Sequence, residues 1–136
     1  MRFLPVTAGA LLVELPDLPR TLALLRALQA GPPEGVTEVI PAARTLLIHY
    51  EPWRLDDAQL AAAVAAIAQK AQSAAASGAP PEEAAGALVQ IPVRYDGEDL
   101  AEVAAHLGLS AAQVLARHTA QPWQVAFAGF APGFAY

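Results

Sequence analysis

The residues with the clearest chemical character lie in FAGFAPGFAY, Phe127–Tyr136, a run of glycine, proline and aromatic residues without any charge. Gly129 and Gly133 bracket Phe130-Ala131-Pro132, and each glycine is followed by a phenylalanine. Glycine admits positive φ and close backbone approach, proline fixes a bend, and the rings supply a flat apolar wall. Such a loop offers backbone N–H groups to an anion or carbonyl oxygen while the rings exclude water. The same residues also suit a plain hydrophobic turn at the mouth of a barrel, and on residue chemistry alone both readings stand.

The three histidines are His49, His106 and His118. His49 reads as a solvated strand residue, and His106 as a cation favoured near a helix C-terminus. His118 ends the helix that leads toward the aromatic run, which places it as a supporting polar group beside the reading of a structural histidine. No HxH or HExxH spacing occurs, so a metal site is not expected. Asp96, Glu98 and Asp99 lie in RYDGEDL, where Asp96-Gly97 signals a turn and Asp99 is placed to cap the next helix. There is no GxSxG, and no GK[ST] follows the glycines of the aromatic run, so neither a serine nucleophile nor a phosphate loop is indicated.

Composition sets the frame for these residues. A chain of 136 residues holds one medium domain or two small ones and can bury a core. It has no cysteine, so thiolate chemistry and disulfides are excluded, which fits a cytoplasmic protein. A formal net charge of −5 argues against binding nucleic acid or an anionic membrane. Arg2 before an apolar stretch raises a signal peptide, but Pro5 and Glu14 interrupt it, and no window reaches the roughly 18 apolar residues of a membrane span.

Two short strands are predicted at 2–6 and 10–15 around Thr7-Ala8-Gly9. Asp17 caps a helix with Leu18, Leu22, Leu25 and Leu28 on one face, stopped at Gly31-Pro32-Pro33. VTEVIP and TLLIHYEP follow as strands. Asp56 and Gln59 form a capping box ahead of Leu60, Val64, Ile67 and Ala71, a helical period. Residues 1–75 therefore read β-β-α-β-β-α, an α+β domain with a sheet covered on one face by helices. From Ser73 to Gly86 small and polar residues dominate, which reads as a linker, with 76–87 as its span.

Beyond it, ALVQIPVRY reads as a strand, EDLAEVAAHLG as a helix ended by Gly108, SAAQVLARHTA as a helix capped by Ser110 and Gln113, and WQVAFAGF as a strand. Leu100–His118 mimics a DNA-binding helix-turn-helix through Ala104, Gly108 and Val114. Those positions serve helix packing, and the second helix offers only Gln113, Arg117 and His118 as polar contacts, too few for a recognition helix.

IPVRYDGEDLAEVAAHLGLSAAQVLARHTA followed by FAGFAPGFAY resembles the KipI family, also called allophanate hydrolase subunit 1 or the B-type subunit of 5-oxoprolinase. ALLVEL and GVTEVIPAARTLLIHYEP resemble the same family's N-terminal domain, so the resemblance covers nearly the whole chain. It implies a small α+β N-terminal sandwich over 1–75 and the first part of a cyclophilin-like β-barrel over 88–136, with the remaining barrel strands beyond this sequence. It also implies a subunit that works with a second, related KipA-like subunit in ATP-dependent opening of 5-oxo-L-proline to L-glutamate. ATP and magnesium would be held by the complex. Carried to this chain, the substrate-binding residues are Gly129, Phe130, Pro132, Gly133 and Phe134, with His118 and Asp99 in support; no nucleophile or general base is assigned. The family also contains allophanate hydrolase subunits and regulators that inhibit a sporulation histidine kinase, two alternatives the shared motif leaves open. The turn Thr7-Ala8-Gly9-Ala10 departs from the family's frequent Gly-Asp.

Overall fold

A computed structural model describes residues 1–76 and 88–136. Contacts divide the chain into two compact units, Met1–Glu82 with Val125–Tyr136, and Glu83–Gln124. In the first, β1 (Arg2–Thr7), β2 (Ala10–Glu14), α1 (Leu18–Ala30), β3 (Val36–Pro41), β4 (Thr45–Tyr50) and α2 (Asp57–Ala76) follow the expected order. The four strands form one antiparallel sheet in the order β1-β2-β4-β3.

Alternation along the strands decides which side chains enter the core. Leu11 pairs with Ile48 and Val13 with Leu46 across β2 and β4, and Val39 of β3 lies opposite Ile48. Because strand side chains alternate between faces, this row meets Leu24, Leu25 and Leu28 of α1 and Leu60, Val64 and Ala68 of α2 in one buried cluster. The opposite face carries Leu4, Leu12, Leu47 and Ile40 in a single cross-strand row.

The helix ends show why the chain turns where it does. Asp17 accepts a hydrogen bond from the Arg20 N–H at 2.9 Å, with a proline in the first turn, and α1 stops at Gly31. Asp56 and Gln59 form the reciprocal box, at 2.7 and 3.0 Å. The tight β1–β2 turn requires Gly9: its φ is +88°, and a Cβ there would stand 2.8 Å from the Tyr50 carbonyl oxygen.

Local differences from the sequence expectations have physical reasons. The buried stripe of α1 is Thr21, Leu24, Leu25 and Leu28, whereas Leu18 and Leu22 are only partly covered. Thr21 enters the core because its hydroxyl donates to the Asp17 carbonyl at 2.9 Å. Ser73, Ala74 and Ala75, expected in the linker, continue α2, as alanine's high helix propensity favours. Apart from Ala76, which closes α2, the linker at 76–87 lies outside the described residues.

In the second unit, α3 (Leu100–Leu107) and α4 (Ala111–His118) meet at a tight corner. Gly108 ends α3 in the left-handed conformation at φ 64°, with Ala104 buried. Ser110 and Gln113 complete the expected capping box of α4. The strand expected over ALVQIPVRY is not formed: residues 88–95 adopt no regular structure and pair with no strand among the described residues. Pro92 supplies no ladder donor, and an extended segment without a neighbour leaves its backbone groups to water.

Candidate functional site

The strand expected over WQVAFAGF is instead a short hairpin return with one bridge, Ala128 opposite Ala135. The Ala126 N–H donates to the Tyr136 carbonyl at 2.7 Å, and the Tyr136 N–H to the Phe127 carbonyl at 2.9 Å. The turn joining the two arms contains Phe130 and Gly133, which both take positive φ, 68° and 79°. Gly133 adopts this region freely, whereas Phe130, a bulky residue, adopts it against its preference, a kind of strain that concentrates at functional loops.

The bend brings four rings into sequence. Phe130 meets Phe134 edge-on with centroids 5.7 Å apart, Phe134 meets Tyr136 edge-on at 5.1 Å, and Tyr136 stacks on Phe127 at 5.1 Å. Edge-on and offset contacts are those that ring quadrupoles favour. Within the described residues Phe130 is 91% exposed. The Gly129 N–H is taken up by the Phe134 carbonyl at 3.1 Å, and the Phe134 and Ala131 N–H groups are also bonded within the hairpin. The N–H groups of Phe130 and Gly133 make no hydrogen bond among the described residues, which shifts the available donors from Gly129 to its neighbour. Pro132 has no N–H and holds the turn between them.

His118 and Asp99 belong to the other unit. His118, the last residue of α4, bonds through Nδ1 to the Tyr95 hydroxyl at 2.7 Å and lies against the Trp123 ring with centroids 5.0 Å apart. Asp99 precedes α3, but its side chain makes no capping hydrogen bond. Its own φ and ψ, −83° and −6°, are already helical, so the carboxylate is not set over the first-turn N–H groups as an N-cap requires. No hydrogen bond or ion pair joins Asp99 to His118 among the described residues. The seven expected residues thus form three local groups: the hairpin, the His118 cluster and Asp99.

Tyr95 and Trp123 were not indicated by the sequence, because Tyr95 lies 23 residues before its histidine. Tyr50 was also missed. It is buried, and its hydroxyl donates to Asp57 Oδ1, joining β4 to the first turn of α2. That hydrogen bond, then burial and the Asp57 charge, raises the Tyr50 pKa above the usual 10.0.

The hairpin does not fit a nucleotide triphosphate. The hairpin has neither charge nor hydroxyl beyond Tyr136, its glycines are followed by phenylalanine rather than Lys-Ser/Thr, and no metal-holding cluster of three or more His, Asp or Glu occurs among the described residues. Among them too, no helix is long and apolar enough to cross a membrane.

Known proteins share this arrangement of elements. The family model for the carboxyltransferase domain, subdomain C and D, matches residues 1–136. The chain is 50% identical over 52 residues to the B-type subunit of 5-oxoprolinase from Escherichia coli O157:H7, a match spanning 36% of this chain and 24% of that protein. It resembles the crystal structure of TTHA0988 in space group P6522 with a TM-score of 0.61 and 33% identity, over 92% of this chain and 23% of that one. It also resembles the conserved uncharacterized protein PH0987 from Pyrococcus horikoshii, with a TM-score of 0.50 and 26% identity over 98% of this chain and 62% of that one. These matches reach less than two thirds of each relative's length. With a family model matched from first residue to last, the chain belongs to the carboxyltransferase subdomain C and D family, which includes proteins like the B-type subunit of 5-oxoprolinase and allophanate hydrolase subunit 1.

Proposed function

We propose that this chain is the substrate-facing part of a non-autonomous subunit of an ATP-dependent 5-oxoprolinase, converting 5-oxo-L-proline to L-glutamate with a second, related KipA-like subunit. The observation that carries the reading is the run of ring contacts from the 91% exposed Phe130 through Phe134 and Tyr136 to Phe127, in a hairpin where the N–H groups of Phe130 and Gly133 make no hydrogen bond among the described residues. A lactam is a small flat ring with one amide oxygen. Its faces suit the aromatic wall, and its oxygen suits a pair of backbone donors that gain strength as negative charge develops there. Pro132 and the two positive-φ positions hold that arrangement before a ligand arrives. Gly129, Phe130, Pro132, Gly133 and Phe134 are the substrate-binding residues of this proposal; His118 and Asp99, which belong to the other unit, are its supporting polar groups. The 50% identity over 52 residues to the 5-oxoprolinase B-type subunit supports the lactam as substrate. In this reading ATP and magnesium are held by the complex, and the hairpin itself offers no side chain suited to a triphosphate.

The test is ADP release by the chain co-purified with its second subunit, with and without 5-oxo-L-proline. Release that rises with the lactam supports the reading. Equal release with and without it contradicts the reading, and stimulation by allophanate in its place transfers the site to the related amide.

A further inference from the structure

The cluster around His118 has more order than a surface histidine requires. Three separate pieces of chain converge on it: Tyr95 from the irregular stretch before α3, His118 from the end of α4, and Trp123 from the segment after it. The Tyr95 hydroxyl lies 2.7 Å from Nδ1, with the two rings edge-on at 5.6 Å. The Trp123 ring covers one side of the imidazole at a 33° tilt, and its indole N–H donates to the backbone carbonyl of His118 at 2.8 Å. The ring is therefore oriented from two sides and tied at its own backbone.

We propose that Tyr95 is a positioning residue that holds the His118 imidazole with Nε2–H directed outward, as a hydrogen-bond donor to an oxygen of a carboxylate- or amide-bearing substrate. The direction of the proton follows from acidity. A phenol is a better donor than a neutral imidazole N–H, and an imidazole nitrogen is a better acceptor than a phenol oxygen, so the neutral pair rests as O–H···Nδ1. The proton of the neutral ring is then on Nε2, and Nε2 makes no hydrogen bond among the described residues. Such a fixed second partner on one ring nitrogen is how proteins commonly select the working nitrogen of a histidine. Trp123 covers one face of the ring, and His118 as a residue is exposed. The ligand class rests on the lactam reading above, because 5-oxo-L-proline bears both a carboxylate and an amide; the ring's orientation does not.

Two measurements separate the claims. In the isolated chain, nitrogen-15 correlation spectra of His118 are expected to show an unprotonated, hydrogen-bonded Nδ1 and a protonated Nε2, with Tyr95→Phe returning the ring to the averaged signature of a free histidine. A protonated Nδ1, or a signature unchanged by Tyr95→Phe, overturns the positioning role whatever the protein acts on. In the reconstituted complex, Tyr95→Phe and His118→Ala are expected to raise the KM for 5-oxo-L-proline about tenfold with kcat nearly constant, the mark of a lost binding contact. His118→Gln, whose amide nitrogen reaches the position of Nε2, is expected to restore most of the affinity. An unchanged KM in an active complex overturns the substrate contact. A wild-type complex indifferent to the lactam overturns both the lactam reading and the proposed ligand class, leaving the spectra to decide the ring's orientation.

Discussion

Residues 1–76 and residues 88–136 use apolar side chains in opposite ways. In the first, Leu11, Leu28, Leu46, Ile48, Leu60 and Val64 are all at or below 1% exposure, because strand alternation and helical period direct them to one core. In the second, Leu88, Ile91, Trp123 and Phe130 are between 68% and 91% exposed, although they are as apolar as the first set. The difference shows that hydrophobicity alone does not make a core: an apolar strand is buried only where a second layer is present to receive it. Residues 1–76 contain that layer, in α1 and α2. In residues 88–136, turns and caps form locally, and these large apolar groups are exposed among the described residues.

Paired truncations break this comparison most sharply. Leu46→Ala or Leu28→Ala is expected to cost about 2 to 5 kcal/mol in urea unfolding, whereas Ile91→Ala is expected to change stability by about 0.5 kcal/mol or less. Equal losses would mean that 88–95 is packed after all. Gly9→Ala comes next, at about 1 to 3 kcal/mol, because it combines positive φ with a Cβ pressed on the Tyr50 carbonyl. A fully stable variant would show that the β1–β2 turn is not the constraint described.

Tyr50→Phe is expected to cost about 1.5 kcal/mol near neutral pH by removing the hydrogen bond to Asp57. Its pH dependence has a fixed sign. The folded pKa lies above 10.0, so an unfolded Tyr50 releases its proton first, and the folded state binds more protons in that range. The contribution is fully present below about pH 10 and is lost as pH rises through the folded value. Alkaline unfolding curves of wild type and Tyr50→Phe should therefore converge; parallel curves would contradict the assignment. The smallest effect is expected at Ser110→Ala, about 1 kcal/mol, seen as faster amide exchange in the first turn of α4 and not in α2.

Much of this contrast was legible in residues. Asp17, Asp56-Gln59, Ser110-Gln113 and Gly108 marked helix ends correctly, because capping depends on side chains within three or four positions of the backbone they satisfy. The face of α1 was displaced because the Thr21 hydroxyl found a partner within the helix and so could be buried. Strand pairing was harder to see. ALVQIPVRY has strand composition, but the presence of a partner strand is a long-range fact that no local pattern contains. The candidate site divides similarly: the bend at Gly133 was visible, while the positive φ of Phe130, the bonded Gly129 N–H and the Tyr95 partner of His118 arise from the folded arrangement.

The central claim is that the exposed aromatic hairpin receives the lactam, and Phe130→Ala tests it most directly. Phe130 contributes to no buried core, so its removal should leave the melting temperature nearly unchanged. In the complex with the second subunit, we expect the KM for 5-oxo-L-proline in stimulated ATP hydrolysis to rise about tenfold, as the loss of one aromatic face from a small ligand implies. An unaltered KM in the correctly folded variant would contradict the account.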